Sequence, residues 1–145
     1  MNSISFHNES VNNKTPSKRL LKAWIKEFVS NHGKTVGELA FVFCSDEKIL
    51  EVNQNFLQHD YYTDIITFDY SEGEVISGDI FISVERVLEN AASHRVDYNT
   101  ELLRVLSHGV LHLIGFQDKE EENKIEMTRN EDLCMSLFFT KFALL

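Results

Sequence analysis

The sequence predicts an α+β fold: a small mixed four-stranded sheet packed with about five helices. Three observations lead there. Short apolar, β-branched runs alternate with longer segments whose apolar residues recur at helical spacing. Two of those runs are separated by a turn short enough to make a hairpin, so at least one strand pair is antiparallel. One helical segment, near residues 102–114, is apolar nearly all round and belongs at the centre of the fold. A length of 145 residues suits one domain, 1–145.

In chain order, Ile4 to Phe6 reads as a short first strand. Thr15-Pro16 has the form of an N-cap followed by proline at the first helical position. Leu20, Leu21, Trp24, Ile25 and Phe28 then mark a helix that Gly33 closes. Leu39 to Cys44 is a continuous apolar run, best read as a buried strand. Ser45 caps a helix carrying Ile49, Leu50, Val52 and Phe56. Asp64 to Phe68 and Val75 to Ile82 are the hairpin strands, with Ser71-Glu72-Gly73 between them. Ser83 caps a helix with Val84, Val87, Leu88 and Ala91 expected on its inner face. Asn99 is the expected cap of the central helix. Asp118, with Glu121 three residues later, has the spacing to open a last helix through Ile125, Leu133, Leu137 and Phe138.

Composition narrows the function classes. The chain is 43% hydrophobic and 11% aromatic, with one Pro and six Gly, which suits a packed core rather than a disordered linker. Its net charge of -9, from 23 acidic and 14 basic residues, does not advertise nucleic-acid binding, so any RNA contact needs a local basic patch. No DNA partner is expected. Cys44 and Cys134 are far apart in apolar surroundings, form no Cys-x-x-Cys pair, and read as buried free thiols suited to a reducing compartment. The first residues lack a basic region followed by an apolar core, and no apolar run reaches membrane-spanning length. A cytoplasmic setting without membrane contact is the expectation.

The residues that carry chemistry lie in Ser107-His-Gly-Val-Leu-His-Leu-Ile-Gly-Phe-Gln-Asp118. His108 and His112 are four apart on a helix, so their rings project from one face. Gly115 offers the left-handed residue that ends a helix, and Asp118 follows the turn. Two imidazoles and a carboxylate there can hold one divalent ion and leave a position open for water. Asp118 has a second reading as an N-cap, and its two oxygens allow both roles. Gly109 stands where a His-Glu-x-x-His zinc protease carries its general base. A mid-helix glycine costs about 1 kcal/mol relative to alanine, which a close approach by another segment or by a substrate could justify. The most basic stretch is on the first helix, where Lys18, Lys22 and Lys26 are spaced by four. That is either the solvated face of an amphipathic helix or an RNA-binding patch. The acidic run Glu120-Glu121-Glu122 beside Asp118 opposes phosphate and favours access from another side.

With these residues in hand, the chain resembles the YbeY family of single-domain metal-dependent endoribonucleases. His108-Gly-Val-Leu-His112-Leu-Ile-Gly115-Phe-Gln-Asp118 is similar to the family's His-Gly-x-Leu-His-Leu-x-Gly-Tyr-Asp-His signature. Thr63-Asp64-Ile65-Ile66-Thr67-Phe68 and Gly78-Asp79-Ile80-Phe81-Ile82-Ser83 resemble two further family strands, in the same order and spacing. The resemblance covers nearly the whole chain. It implies hydrolysis of single-stranded RNA in ribosomal RNA maturation and ribosome quality control, with an rRNA precursor and ribosomal components as partners.

Two departures stand out. Asp118 occupies the position of the family's usual third histidine ligand. A carboxylate can ligate zinc, the first expectation for the ion, but it lowers Lewis acidity and makes the set less selective, so iron or another ion is also accommodated. Leu57 falls where many members carry an arginine associated with RNA, and leucine cannot pair with a phosphate. His59 and Lys48 are the nearest substitutes in sequence.

On this reading His108, His112 and Asp118 hold the ion. Asp79 is a candidate for orienting a ligand or water, against a plain hydrogen bond to a neighbouring backbone group. His59 is a candidate proton donor to the leaving oxygen, against an exposed loop histidine. The alternatives are a zincin-like metalloprotease, which the missing glutamate after His108 disfavours, and a non-catalytic ribosome-assembly factor whose metal clamps the helix end.

Overall fold

A computed structural model describes residues 3–58 and 63–143. The elements in chain order are β1 (Ser3–Asn8), α1 (Lys18–Asn31), β2 (Thr35–Cys44), α2 (Asp46–Phe56), β3 (Ile65–Asp69), β4 (Val75–Ser83), α3 (Val84–His94), α4 (Tyr98–Ile114) and α5 (Glu121–Leu137). A wider π-helical turn, Phe138–Phe142, extends α5. The strands form one mixed sheet in the order β1-β2-β4-β3. β1, β2 and β4 run parallel, while β3 pairs antiparallel with β4. The expected α+β class, mixed four-stranded sheet and hairpin are all present.

Chain punctuation follows simple side-chain chemistry, though not always at the expected residue. Ser45 and Ser83 cap α2 and α3 by accepting from the amides of Lys48 and Arg86. For α1 the cap is Ser17, whose hydroxyl accepts from Leu20, not Thr15. For α4 it is Asp97, which accepts from Thr100 at 2.7 Å, not Asn99. Aspartate two residues earlier wins because its charge also complements the helix N-terminus. α5 begins after Glu120 without a side-chain cap, so Asp118 is not its N-cap.

The two sheet faces differ. On one face α4 crosses β3 and β4, with Leu102, Leu106, Val110 and Leu113 in the main core. Gly109 is what allows that approach: a Cβ there would come within 2.9 Å of Ile65 Cδ1 and 3.1 Å of Ile80 Cδ1. α1 and α5 flank α4, and the buried Trp24 Nε1–H donates to the Cys134 carbonyl at 2.7 Å. On the other face a smaller cluster of Cys44, Ile49, Val52 and Ile66 seats α2.

Leu88 was expected inside α3 but is exposed, and so are Ile125 and Leu133 of α5. The face of α5 that packs inward is Met127, Asn130, Glu131 and Cys134, a helical stripe that includes two polar residues. Both cysteines are buried and free, and burial above all pushes each thiol up to about 12. Among the described residues no helix is long and apolar enough to cross a membrane.

Candidate metal centre

The last turn of α4 and the turn after it build the site. His108 and His112 lie one helical turn apart with ring centroids at 4.5 Å. Gly115, with φ 126, ends the helix and reverses the chain, which brings Asp118 back over both rings. The two Nε2 atoms are 3.0 Å apart, and Asp118 Oδ2 lies 3.2 Å from that of His108 and 3.4 Å from that of His112.

Each imidazole is held by its other nitrogen. His108 Nδ1 is 2.7 Å from Glu131 Oε2, and His112 Nδ1 is 3.0 Å from the Phe116 carbonyl. A carboxylate and a carbonyl can only accept, so both Nδ1 atoms carry the hydrogen and both Nε2 atoms turn toward Asp118. Two nitrogen lone pairs and a carboxylate oxygen facing one another so closely require a proton or a cation between them. Zinc–ligand bonds of 2.0–2.1 Å in a tetrahedron put neighbouring donors about 3.3–3.4 Å apart. The observed 3.0–3.4 Å spacing therefore fits one face of such a polyhedron and leaves a fourth direction open to the cleft. The donor set and its spacing fit a divalent ion.

The electrostatics agree. Burial pushes the His108 imidazolium down, but the hydrogen bond and charge of Glu131, with the charges of Asp118 and Asp64, outweigh it and raise its proton affinity above the usual value. A site that stabilises a proton on imidazole in this way also stabilises a metal cation. Glu131 is itself buried and shared: its Oε1 lies 3.3 Å from Arg104 Nη1, which also meets Asp132 at 3.3 Å. Arg104 reaches the buried Glu101 at 3.9 Å, and His94 Nδ1 donates to Glu101 at 3.0 Å. A charged chain thus runs from α3 to His108.

The centre opens into a cleft of about 550 Å³ between α4, β3 and α2. Asp64, Thr67, Asp69, Leu57, Asn53 and Lys119 are among its walls. Leu57 lines the cleft, so the wall is apolar at the position where the family resemblance led one to expect a cation. Lys48 does not replace it, being paired with Glu9 and Glu51. Lys119, which no sequence pattern singled out, lines the cleft instead. His59 lies outside the described residues. Asp79 is on the opposite sheet face from Ile80 and α4, and accepts from the Tyr70 hydroxyl at 3.3 Å. It does not join the histidines. Lys18, Lys22 and Lys26 lie along α1 and none lines the cleft. Glu131 and Asp64 were missed by sequence reasoning. The only signal for Glu131 was its place on the α5 stripe with Met127 and Cys134.

Comparison with known proteins bears on this geometry. The profile of the family described as Endoribonuclease YbeY matches residues 3–138. The chain belongs to the endoribonuclease YbeY family. A protein named Endoribonuclease YbeY from Phocaeicola vulgatus is 50% identical over 92% of this chain and 97% of its own length. One of the same name from Parabacteroides distasonis is 47% identical over 92% of this chain and 94% of its own. A solution structure of a Thermotoga maritima protein superposes with a TM-score of 0.63 at 28% identity, covering 92% of this chain and 87% of that one.

Proposed function

We propose that this YbeY-family chain is a metal-dependent endoribonuclease that hydrolyses single-stranded RNA in ribosomal RNA maturation and ribosome quality control. It works in the cytoplasm, on rRNA precursors and in contact with ribosomal components. His108, His112 and Asp118 are its metal ligands, with zinc the first choice of ion. The observation that carries the reading is the convergence of two tautomer-locked Nε2 atoms and one carboxylate oxygen on an open cleft. The names of the relatives supply the substrate class.

When bound, the ion supplies Lewis-acid polarisation of a phosphoryl oxygen and an activated water. The chain's own residues do the rest. Glu131 and the Phe116 carbonyl keep both imidazoles in the ligating tautomer. Lys119 offers the cleft a cation toward the phosphodiester, and Asp64 holds a negative charge near His108. Overall, water adds to phosphorus, one P–O bond breaks, and the leaving oxygen takes a proton.

Gly109 weighs against a protease, since a glutamate there would run into Ile65 and Ile80. A metal that merely clamps the helix end also fits less well, because all three donors border an open cleft rather than a closed site. Elemental analysis and RNA cleavage of the wild type, His112→Ala and Asp118→Ala test the assignment together. The expected result is near-stoichiometric metal and cleavage in the wild type and loss of both in His112→Ala. Full metal occupancy in His112→Ala would remove it from the ligand set.

A further inference from the structure

A second hollow, of about 240 Å³, lies on the sheet face opposite α4 and is walled by Val52, Phe56, Phe68, Tyr70, Asp79 and Phe81. Its rings are unusually open: Phe56 is 70% exposed and Tyr70 is 59% exposed. They are also held in place. Phe68 stands edge-on to Phe56 at 6.1 Å and to Phe81 at 5.9 Å, and the Tyr70 hydroxyl donates to Asp79 Oδ2 at 3.3 Å. The hollow therefore offers fixed aromatic surface beside one carboxylate acceptor. A nucleobase presents the matching chemistry, a flat π surface carrying exocyclic amino donors. Aliphatic side chains would cover the rings without stacking on them, and bring no donor of their own to the remaining lone pairs of Asp79, which already accepts from Tyr70.

The hollow adjoins the metal cleft. Leu57 follows Phe56 in the chain and lines the cleft, as does Ile66, two residues before Phe68. The two openings thus share the end of α2 and the free edge strand β3. Charge also matters: Lys119 is the sole lysine or arginine among the described residues lining the cleft, in a chain of net charge -9. Phosphate pairing there is meagre, so a polynucleotide needs contacts that are not ionic.

We propose that the Phe56–Tyr70 hollow is a base-stacking subsite for a nucleotide flanking the scissile phosphate, an assignment that rests on the ribonuclease reading above. The test is fluorescence quenching of the Tyr70→Trp variant, read by stopped flow before any cleavage. The probes are a short oligoadenylate and an abasic ribose-phosphate oligomer of equal length. Trp24 is fully buried, so the new indole reports the hollow. The expected result is quenching by oligoadenylate and not by the abasic oligomer. In the same background Phe56→Leu, which keeps apolar bulk but removes the π face, weakens oligoadenylate binding about tenfold, and Phe56→Tyr preserves it. Absent quenching, equal quenching by the abasic oligomer, or unchanged affinity in Phe56→Leu would overturn the subsite. Because this readout involves no cleavage, a zinc-loaded wild type that leaves RNA intact would count against the ribonuclease reading alone.

Discussion

Glu131 gives one carboxylate two tasks, holding His108 Nδ1–H with one oxygen and Arg104 with the other. Carboxylates behind metal-ligating histidines fix the ring and raise its basicity, and their removal costs about 10–100-fold in metal affinity. Glu131→Gln keeps an acceptor in place but drops the charge, so it belongs at the lower end of that range, and Glu131→Ala at the upper end. The pH dependence adds a sign. Below the raised pKa of His108 its imidazolium must lose a proton before a metal can bind, so the wild type's apparent affinity falls as pH drops through that value. Glu131→Gln removes the main cause of the elevation, which shifts this loss to lower pH. The affinity gap between the two proteins should therefore be widest at alkaline pH and narrow in acid. Chelator-competition titrations across pH check both statements, and a gap that widens on acidification would contradict the account.

At the element scale, the α4 site was legible because its signals are local. A histidine pair at one-turn spacing, a helix-ending glycine and a carboxylate just past it specify a site within a single turn and its exit. Glu131 was hidden for the opposite reason. The inward stripe of α5, at positions 127, 130, 131 and 134, has good helical spacing, but Asn130 and Glu131 are polar and break the apolar pattern. Ile125 and Leu133 supplied a false one. Caps were readable where one serine stood alone before a helix, and mistaken where several candidates competed near Pro16 and Asn99. Gly109 tests how tightly α4 is set on the sheet. Alanine gains about 1 kcal/mol of helix propensity, whereas overpacking a core costs about 1–3 kcal/mol. The nearest atom, Ile65 Cδ1, ends a flexible side chain, but Ile80 behind it is fully buried. Packing should win narrowly for Gly109→Ala, a net loss of about 1 kcal/mol by denaturant titration. Gly109→Glu should lose several times more. A stabilised Gly109→Ala would show that α4 can lift from β3 without penalty.

For the whole molecule, the distribution of charge decides how RNA is approached. Counterion release gives a slope of log affinity against log salt near -0.7 for each phosphate neutralised on a single strand. Only Lys119 supplies a permanent cation to the described cleft wall, while Asp64, Asp69 and Asp118 oppose phosphate there. A divalent ion in the centre adds one more positive focus. One or two phosphates are then engaged, which predicts a slope of about -1 for the isolated protein. The lysines of α1 make the contrasting case. If Lys18, Lys22 and Lys26 gripped the backbone together with Lys119, at least four phosphates would be neutralised and the slope would approach -3. Binding of a single-stranded RNA across a salt series separates the two, and Lys22→Glu repeats the comparison from the protein side. A shallow slope that Lys22→Glu leaves unchanged places RNA along the cleft and the aromatic hollow. A steep slope that flattens in Lys22→Glu would move the RNA path onto the lysine face of α1, none of whose lysines lines the metal cleft.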